Sequence, residues 1–200
     1  MKKSKKIFVL VGEESGDIIA SDLIHEIKIQ NRDKFDLKFY GVTGPRLKAN
    51  GVSTISDFTQ INYLGVSEII SNFFSLKIKL NKLIKKIKII NPDILITVDA
   101  KLFSLSLAKG LKKMNVSNNI KLVHVVLPTI WAHSPSRAYK WKKVFDLLVS
   151  IIPNEDKYFT KYDIKSVYLG NPIFEKFLNK LTTLKYKNNK NVNYCLILPG

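Results

Sequence analysis

The N-terminal stretch of the chain limits the fold more than any other part. Residues 7–11 form an unbroken apolar run, which is typical of a buried strand. A turn with glycines at Gly12 and Gly16 follows, and apolar residues then recur at helical spacing over 18–29. A strand, a glycine turn and a helix open a βαβ unit. The sequence therefore predicts an α/β fold, a Rossmann-like parallel sheet flanked by helices, with a site at the carboxyl ends of its strands.

The first turn carries chemistry that suits hydroxyl groups better than phosphates. It holds three carboxylates, Glu13, Glu14 and Asp17, and no lysine. Phosphate-binding loops present bare amides and a cation, so this turn would repel a pyrophosphate at close range. Carboxylates and the Ser15 hydroxyl suit sugar hydroxyls or proton transfer, and with Gly16 they are predicted to contact substrate. The alternative is that Asp17 or Ser15 only caps the following helix, which needs no ligand.

The composition excludes several classes of protein. The single cysteine, Cys195, excludes a disulfide framework, and the three histidines are too scattered to suggest zinc, so neither a metal nor a cofactor is expected. No apolar run reaches the roughly 18 residues of a membrane span. The apolar run behind the basic N-terminus is too short for a secretory signal. We therefore expect a cytoplasmic protein that is not integral to a membrane.

The excess of lysine indicates an anionic partner. The formal net charge is +17, and only three of the 33 basic residues are arginines. Proteins that read DNA sequence rely on arginine for bidentate contacts with bases, whereas lysine suits diffuse attraction. We therefore expect an anionic membrane surface as partner and no nucleic acid. A lysine-rich genome composition would explain part of the excess without any partner.

The longest periodic segment is a predicted helix over 68–90, with an apolar face and lysines off it. Its simplest role is to pack on the sheet with snorkelling lysines outside. The apolar and aromatic density of residues 64–76 is also what a lipid-facing surface needs. The residues predicted to contact acyl chains or the membrane are Val66, Ile69, Ile70, Phe73 and Phe74.

Two further segments supply candidate site residues. Residues 94–98 read as a buried strand with Asp99 at its carboxyl end, where a carboxylate is a good candidate for catalysis or, alternatively, a cap for the next helix. The loop that follows the predicted strand 121–127 has the composition of a binding loop. Its candidates are Trp131, His133 and Arg137, although a lone histidine is more often structural.

The C-terminal part of the sequence predicts a domain boundary. Residues 1–184 carry the strand and helix pattern, and 185–193 form a linker rich in lysine and asparagine. Residues 194–200 read as a new buried strand. We interpret that strand as the first of a second, nucleotide-sugar-binding domain.

Several motifs, in order and at matching spacing, resemble the lipid-A-disaccharide synthase family. GEESGD at 12–17 is similar to the family's Gly-Glu-x-Ser-Gly-Asp, and GVTGPR at 41–46 to its second loop. LGVSEI at 64–69 is similar to Met-Gly-x-x-Glu-Val. VDA at 98–100 and LPG at 198–200 also match. The resemblance spans residues 7–200 and implies a GT-B fold of two Rossmann-like domains across a cleft.

The resemblance also implies a reaction. A hexosyltransferase of this family moves 2,3-diacylglucosamine from its UDP derivative to 2,3-diacylglucosamine 1-phosphate, with inversion and without a metal, and releases UDP. Asp99 is the implied base, although Glu13 and Asp17 remain alternatives. The nucleotide would sit mainly on the second domain. The enzyme would be peripheral on the inner face of the cytoplasmic membrane.

Further substrate-binding residues implied by the resemblance are Arg46, Glu68 and Asn171. The chain departs from the family pattern where Lys101-Leu102 replaces Pro-Asp, and where Asn171 replaces His. His133 also stands where the family has Trp. The departures lie at predicted strand ends. They leave two alternatives open: a divergent enzyme that acts on a different acylated sugar, and a lipid-binding, membrane-surface module that is truncated or has lost catalysis.

Overall fold

The computed structural model describes residues 2–60, 73–116, 119–128, 138–172, 174–175 and 177–178, with side chains from residue 77 onward in the long helix that begins at Phe73. Its strands are β1 (Lys3–Val11), β2 (Phe35–Thr43), β3 (Ser53–Asp57), β4 (Ile94–Val98), β5 (Lys121–Val125), β6 (Leu147–Ser150) and β7 (Ser166–Tyr168). Its helices are α1 (Glu14–Asn31), α2 (Pro45–Ala49), α3 (Phe73–Ile90), α4 (Lys101–Lys113), α5 (Ala138–Lys142) and α6 (Asp156–Thr160), with a 3₁₀ turn over Phe58–Gln60.

All seven strands form one parallel sheet in the order β3-β2-β1-β4-β5-β6-β7. The chain starts at β1, builds to one edge at β3, and crosses through α3 to β4 on the other side of β1. It then builds to the opposite edge at β7. The predicted Rossmann-like sheet flanked by helices is confirmed. The direction of building reverses between β1 and β4, which is where ligands bind in open parallel sheets.

Two apolar layers enclose the sheet, and β1 contributes to both. Successive strand side chains point to opposite faces. Val9 and Val11 therefore belong to the layer covered by α1 and α2. Phe8 and Leu10 belong to the layer with the buried residues of α3, α4 and α5. Because β1 is buried on both faces, its core reads as a continuous apolar run rather than an alternation.

The first strand starts earlier than its apolar run suggests. The sequence predicts a strand from Ile7 behind a basic tail, but Lys3–Val11 is one strand paired with β2 from its first residue. Asp93, just before β4, accepts a hydrogen bond from the Lys6 amide (2.8 Å) and another from the Lys5 ammonium. The hydrogen bond from Lys5 lowers the pKa of Asp93 below its usual range. These contacts join the amino ends of β1 and β4 and recruit the lysines into the strand.

The predicted strands 94–98 and 121–127 appear as β4 and β5, within two residues of their predicted bounds. The predicted helix over 68–90 is described from Phe73 to Ile90. The predicted linker 185–193 and the predicted strand 194–200 lie outside the described residues. Within the described ranges, no helix is long and apolar enough to cross a membrane.

Gly41 permits the close pairing of β1 and β2. It lies opposite Val9 in the register, and a Cβ at Gly41 would lie 2.2 Å from the Val9 carbonyl oxygen. A backbone atom on a central strand cannot move aside without disturbing the sheet on both sides. Gly110 in α4 is different, because its added Cβ would meet the flexible tip of Ile84 at 2.6 Å.

We therefore predict opposite outcomes for two glycine-to-alanine substitutions. Gly41→Ala should lower the free energy of unfolding by more than about 1 kcal/mol, because the methyl group overpacks against backbone. Gly110→Ala should change it by less than about 1 kcal/mol, because Ile84 can adjust and alanine favours helix. Urea denaturation of both variants measures the difference. Equal losses would contradict the backbone explanation.

Candidate active site at the switch point

Two turns meet where β1 and β4 end side by side. Val11 pairs with Val98 in the register, so the turn before α1 and the turn before α4 leave the sheet together. A Cβ at Gly12 would lie only 2.6 Å from the Cβ of Ala100. A Cβ at Gly16 would lie 3.3 Å from the Val98 carbonyl oxygen. The glycines of the first motif therefore allow the two turns and the start of α1 to approach closely.

The turn after β4 has an unusual backbone. Asp99 and Ala100 both adopt left-handed conformations, with φ of 51° and 44°. Such positions cost about 1–3 kcal/mol each and concentrate at functional sites. The turn is held by hydrogen bonds from the Asp99 amide to the Val125 carbonyl (3.0 Å) and from the Ser104 hydroxyl to the Asp99 carbonyl (2.9 Å). The N-cap residue of α4 is Ala100, so Asp99 is not its N-cap.

The Asp99 carboxyl is electrostatically perturbed. Its side chain is partly buried, and burial raises the pKa of Asp99 above the usual value. The Glu13 carboxylate raises that pKa further, whereas the Lys101 ammonium, 3.8 Å from Oδ1, opposes the increase. A carboxylate with a raised pKa is a stronger base and is suited to accept a proton from a substrate hydroxyl.

Glu13 and Ser15 lie exposed at the rim of this switch point. The Ser15 hydroxyl donates a hydrogen bond to the Glu13 carboxylate. Glu13 is the N-cap residue of α1, but its side chain accepts no capping hydrogen bond from that helix. Glu13 is close enough to Asp99 to raise its pKa, and Ser15 contacts Glu13, so both expose oxygen atoms at this rim. Their predicted role in substrate binding stays a prediction that this placement supports.

Asp17 has a structural task. Its side chain is buried, at 1% exposure. Its carboxylate accepts hydrogen bonds from the amides of Gly44 (3.0 Å), Arg46 (2.8 Å) and Leu47 (3.2 Å). Asp17 thus caps α2, a neighbouring helix, instead of the helix that carries it. The prediction that Asp17 binds substrate receives no support from these contacts.

The other predicted substrate residues lie in different places. Arg46 is exposed on α2, at the carboxyl end of β2 next to β1. Asn171 follows β7, three strands from β4, which separates it from Asp99 by roughly 14 Å across the sheet. The Asn171 side-chain oxygen accepts a hydrogen bond from the Phe174 amide (3.2 Å). The structure brings Glu13, Ser15 and Asp99 together, but not Asn171.

Several residues predicted to contact substrate or membrane lie where the structure describes no side chains. Phe73 and Phe74 begin α3, and their side chains are not described. The predicted residues that lie outside the described ranges are Val66, Glu68, Ile69, Ile70, Trp131, His133 and Arg137. Their roles stay predictions.

His124 is a buried polar residue near the site that sequence reasoning did not select. Its Nδ1 lies 2.8 Å from the Thr97 hydroxyl, and its ring packs on Trp141 and Phe145. Burial, together with the charge of Lys101, lowers the pKa of His124 to about 3. The imidazole is therefore neutral near pH 7 and cannot act there as an acid. Its signal in the sequence is a single polar residue at a core position of β5.

Within the described part of the chain, no three His, Cys, Asp or Glu residues are grouped as metal ligands.

The sequence profile of lipid-A-disaccharide synthetase matches residues 7–200. The chain belongs to the lipid-A-disaccharide synthetase family. It is 33% identical over 172 residues to the lipid-A-disaccharide synthase of Rickettsia felis. It is 29% identical over 203 residues to lipid-A-disaccharide synthase 2 of Legionella pneumophila. These alignments cover 86% and 100% of this chain but only 43% and 51% of the relatives, so the chain spans about half their length.

Solved structures show a similar fold at low sequence identity. The S. aureus MnaA–UDP co-structure matches 93% of this chain with a TM-score of 0.58 and 15% identity. UDP-GlcNAc 2-epimerase from Neisseria meningitidis, bound to UDP-GlcNAc, matches 94% with a TM-score of 0.54 and 12% identity. The matches cover 50% and 51% of those chains. At these identities the similarity establishes the fold alone.

We predict that Asp17 is important for stability. Asp17→Ala should lower the free energy of unfolding by about 2–4 kcal/mol, because three amides, two of them in buried hydrogen bonds, lose their acceptor. Glu14→Gln, an exposed acid in the same turn, is the control and should change it by less than about 0.5 kcal/mol. Urea denaturation compares the two. A loss in Asp17→Ala no larger than in the control would refute the capping role.

We also predict that Lys101 tunes Asp99. Lys101→Met should raise the pKa of Asp99 further, because the opposing ammonium is removed. Carbon-13 NMR titration of the Asp99 carboxyl measures the change directly. Lys109→Met, an exposed lysine on the same helix, should leave that pKa unchanged. An unchanged or lower pKa in Lys101→Met would contradict the interaction.

Proposed function

We propose that this chain is the acceptor-side half of a lipid-A-disaccharide synthase, an inverting hexosyltransferase. The proposed reaction joins 2,3-diacylglucosamine, carried by UDP, to the 6-hydroxyl of 2,3-diacylglucosamine 1-phosphate. Family membership supports the reaction, and one structural observation carries it. Asp99 stands at the switch point with a raised pKa, where a substrate hydroxyl can reach it.

Asp99 is proposed as the general base. Its carboxylate takes the proton of the acceptor 6-hydroxyl as that oxygen attacks the anomeric carbon of the donor sugar. The new carbon–oxygen bond forms as the bond to the UDP oxygen breaks, so the configuration inverts and UDP leaves with the electron pair. The left-handed backbone at Asp99 and Ala100, held by the Ser104 hydroxyl and the Val125 carbonyl, fixes the direction of the carboxylate.

The acidic rim suits the acceptor sugar. Glu13 and Ser15 expose oxygen atoms beside Asp99, and such groups bind hydroxyls but repel phosphates. The pyrophosphate of UDP is therefore proposed to bind mainly on a second domain, across a GT-B cleft. The coverage of only about half of each curated relative agrees with that division. In this proposal residues 1–184 form the first domain, 185–193 the linker and 194–200 the start of the second domain.

A peripheral position on the inner face of the cytoplasmic membrane is also proposed. Both substrates carry acyl chains, and the net charge of +17 favours an anionic leaflet. The apolar residues of 64–76 are proposed to contact those chains. The side chains of α3 are described from residue 77, directly after the predicted lipid-facing segment, and several of them are exposed lysines.

A lipid-binding, membrane-surface module without transferase activity is the second candidate. The observation that favours it is Lys101, which pairs with Asp99 where the family pattern has proline followed by an acid. The two functions differ in one measurement. Release of UDP by the full-length gene product supports the transferase, whereas binding to vesicles without any UDP release supports the module.

We predict that Asp99→Asn separates catalysis from stability. In the full-length gene product it should abolish UDP release, because the amide cannot accept the hydroxyl proton. Asp33→Asn, an exposed acid remote from the carboxyl ends of the strands, should keep activity. Retained turnover in Asp99→Asn would exclude Asp99 as the base.

The same variant should not lose stability at pH 7. The pKa of Asp99 is raised in the folded state, so ionisation of this carboxyl is penalised on folding at any pH above that pKa. Asp99→Asn removes the penalty, and its melting temperature at pH 7 should equal or exceed that of the unmodified protein. Below the unfolded-state pKa of about 3.9 the carboxyl is protonated in both states, and the advantage should vanish.

A further inference from the structure

A cavity of about 420 Å³ lies on the α3 side of the sheet, apart from the groups that surround Asp99. It is enclosed by the middle of α3, the end of β3 and the first turn of α4. The residues that matter to its chemistry are Lys79, Lys82, Lys85, Lys86, Ser56 and Phe103. Four lysine side chains thus line one cavity of a size that fits a small ligand or a lipid headgroup.

Helix geometry explains why these four lysines line the same cavity. Lys79, Lys82 and Lys86 follow the spacing i, i+3 and i+7, so they lie along one face of α3, with Lys85 beside them. The helix has no acidic residue, and none lines the cavity among the described residues. Like charges at this spacing repel one another. An anion in the cavity would convert that repulsion into attraction.

The surroundings give the cavity a fixed wall. The Lys86 ammonium donates a hydrogen bond to the Ile55 carbonyl oxygen (3.1 Å), which holds it at the end of β3. Leu83 and Phe103 are buried and provide an apolar floor. Lys82 and Lys85 are exposed at the mouth. Lysine is a compact point charge with three donors and suits the oxygens of a phosphate group.

We propose that this cavity is a phosphate-binding site, distinct from the transfer chemistry. Its ligand is a phosphate monoester or diester, either free or at the head of a lipid. The proposal does not require the transferase reaction, because the cavity residues are not the groups around Asp99. The alternative is a face of solvated lysines that attracts anions only through the net charge of the protein.

The test compares two double variants of the same helix. Lys82→Gln with Lys85→Gln removes two charges at the cavity, and Lys77→Gln with Lys88→Gln removes two exposed charges elsewhere on α3. Both lose the same net charge, and glutamine and lysine have similar helix propensity. Lys82→Arg with Lys85→Arg keeps the charges and should retain binding, which controls for misfolding.

Binding is measured without any donor sugar, so the result does not depend on the proposed reaction. The probes are inorganic phosphate by calorimetry, and vesicles of phosphatidylcholine with or without phosphatidic acid. The cavity variant should bind inorganic phosphate about tenfold or more weakly than the helix control does. If the ligand is a lipid headgroup, the same difference should appear with phosphatidic acid vesicles, and inorganic phosphate should compete.

Each outcome of these measurements either supports or overturns the phosphate-binding site. A difference with inorganic phosphate but not with vesicles assigns the site to a free phosphate ligand and keeps the proposal. Equal weakening of the two glutamine variants in both arms shows that only net charge matters and overturns it. No phosphate binding by the unmodified protein overturns it as well, whether or not the full-length gene product releases UDP.

Discussion

Where β1 and β4 end side by side, the turn that holds Asp99 packs so closely on Gly12 that an added Cβ there would lie 2.6 Å from the Ala100 Cβ. The first turn can lie against the second only because Gly12 has no side chain. The second turn in turn holds two left-handed residues, of which one is Asp99. Parallel pairing of the two strands thus fixes the candidate base from both sides, before any ligand is present.

The acids of the first motif divide between structure and chemistry. Asp17 is directed inward and accepts hydrogen bonds from three amides at the start of α2, the helix that carries Arg46. Glu13 is directed outward and raises the pKa of Asp99 by repulsion, while Lys101 limits the increase by attraction. One acidic motif therefore holds both a carboxylate that caps a helix and a carboxylate that raises a neighbour's pKa, and only the burial of each one distinguishes them.

Most of the fold could be predicted because its signals are local. The apolar runs over 7–11, 94–98 and 121–127 placed β1, β4 and β5, and the helical spacing over 18–29 and 68–90 placed α1 and α3, close to where they occur. The errors arose where partners are distant in sequence. Lys5 and Lys6 belong to β1 because they pair with β2 and donate hydrogen bonds to Asp93, and His124 is neutral because it is buried against Trp141 and Phe145. No local pattern records such contacts.

The sequence by itself determined the class of sheet, the edge at which its site lies, and the candidacy of Asp99, because periodicity and strand-end position are properties of neighbouring residues. Tertiary structure alone decided that Asp17 faces inward and that Asn171 ends three strands away. It also decided that four lysines of α3 share a cavity with the first turn of α4. The physical reason is that burial and proximity are set by the packing of distant segments, whose distances the linear order of residues does not contain.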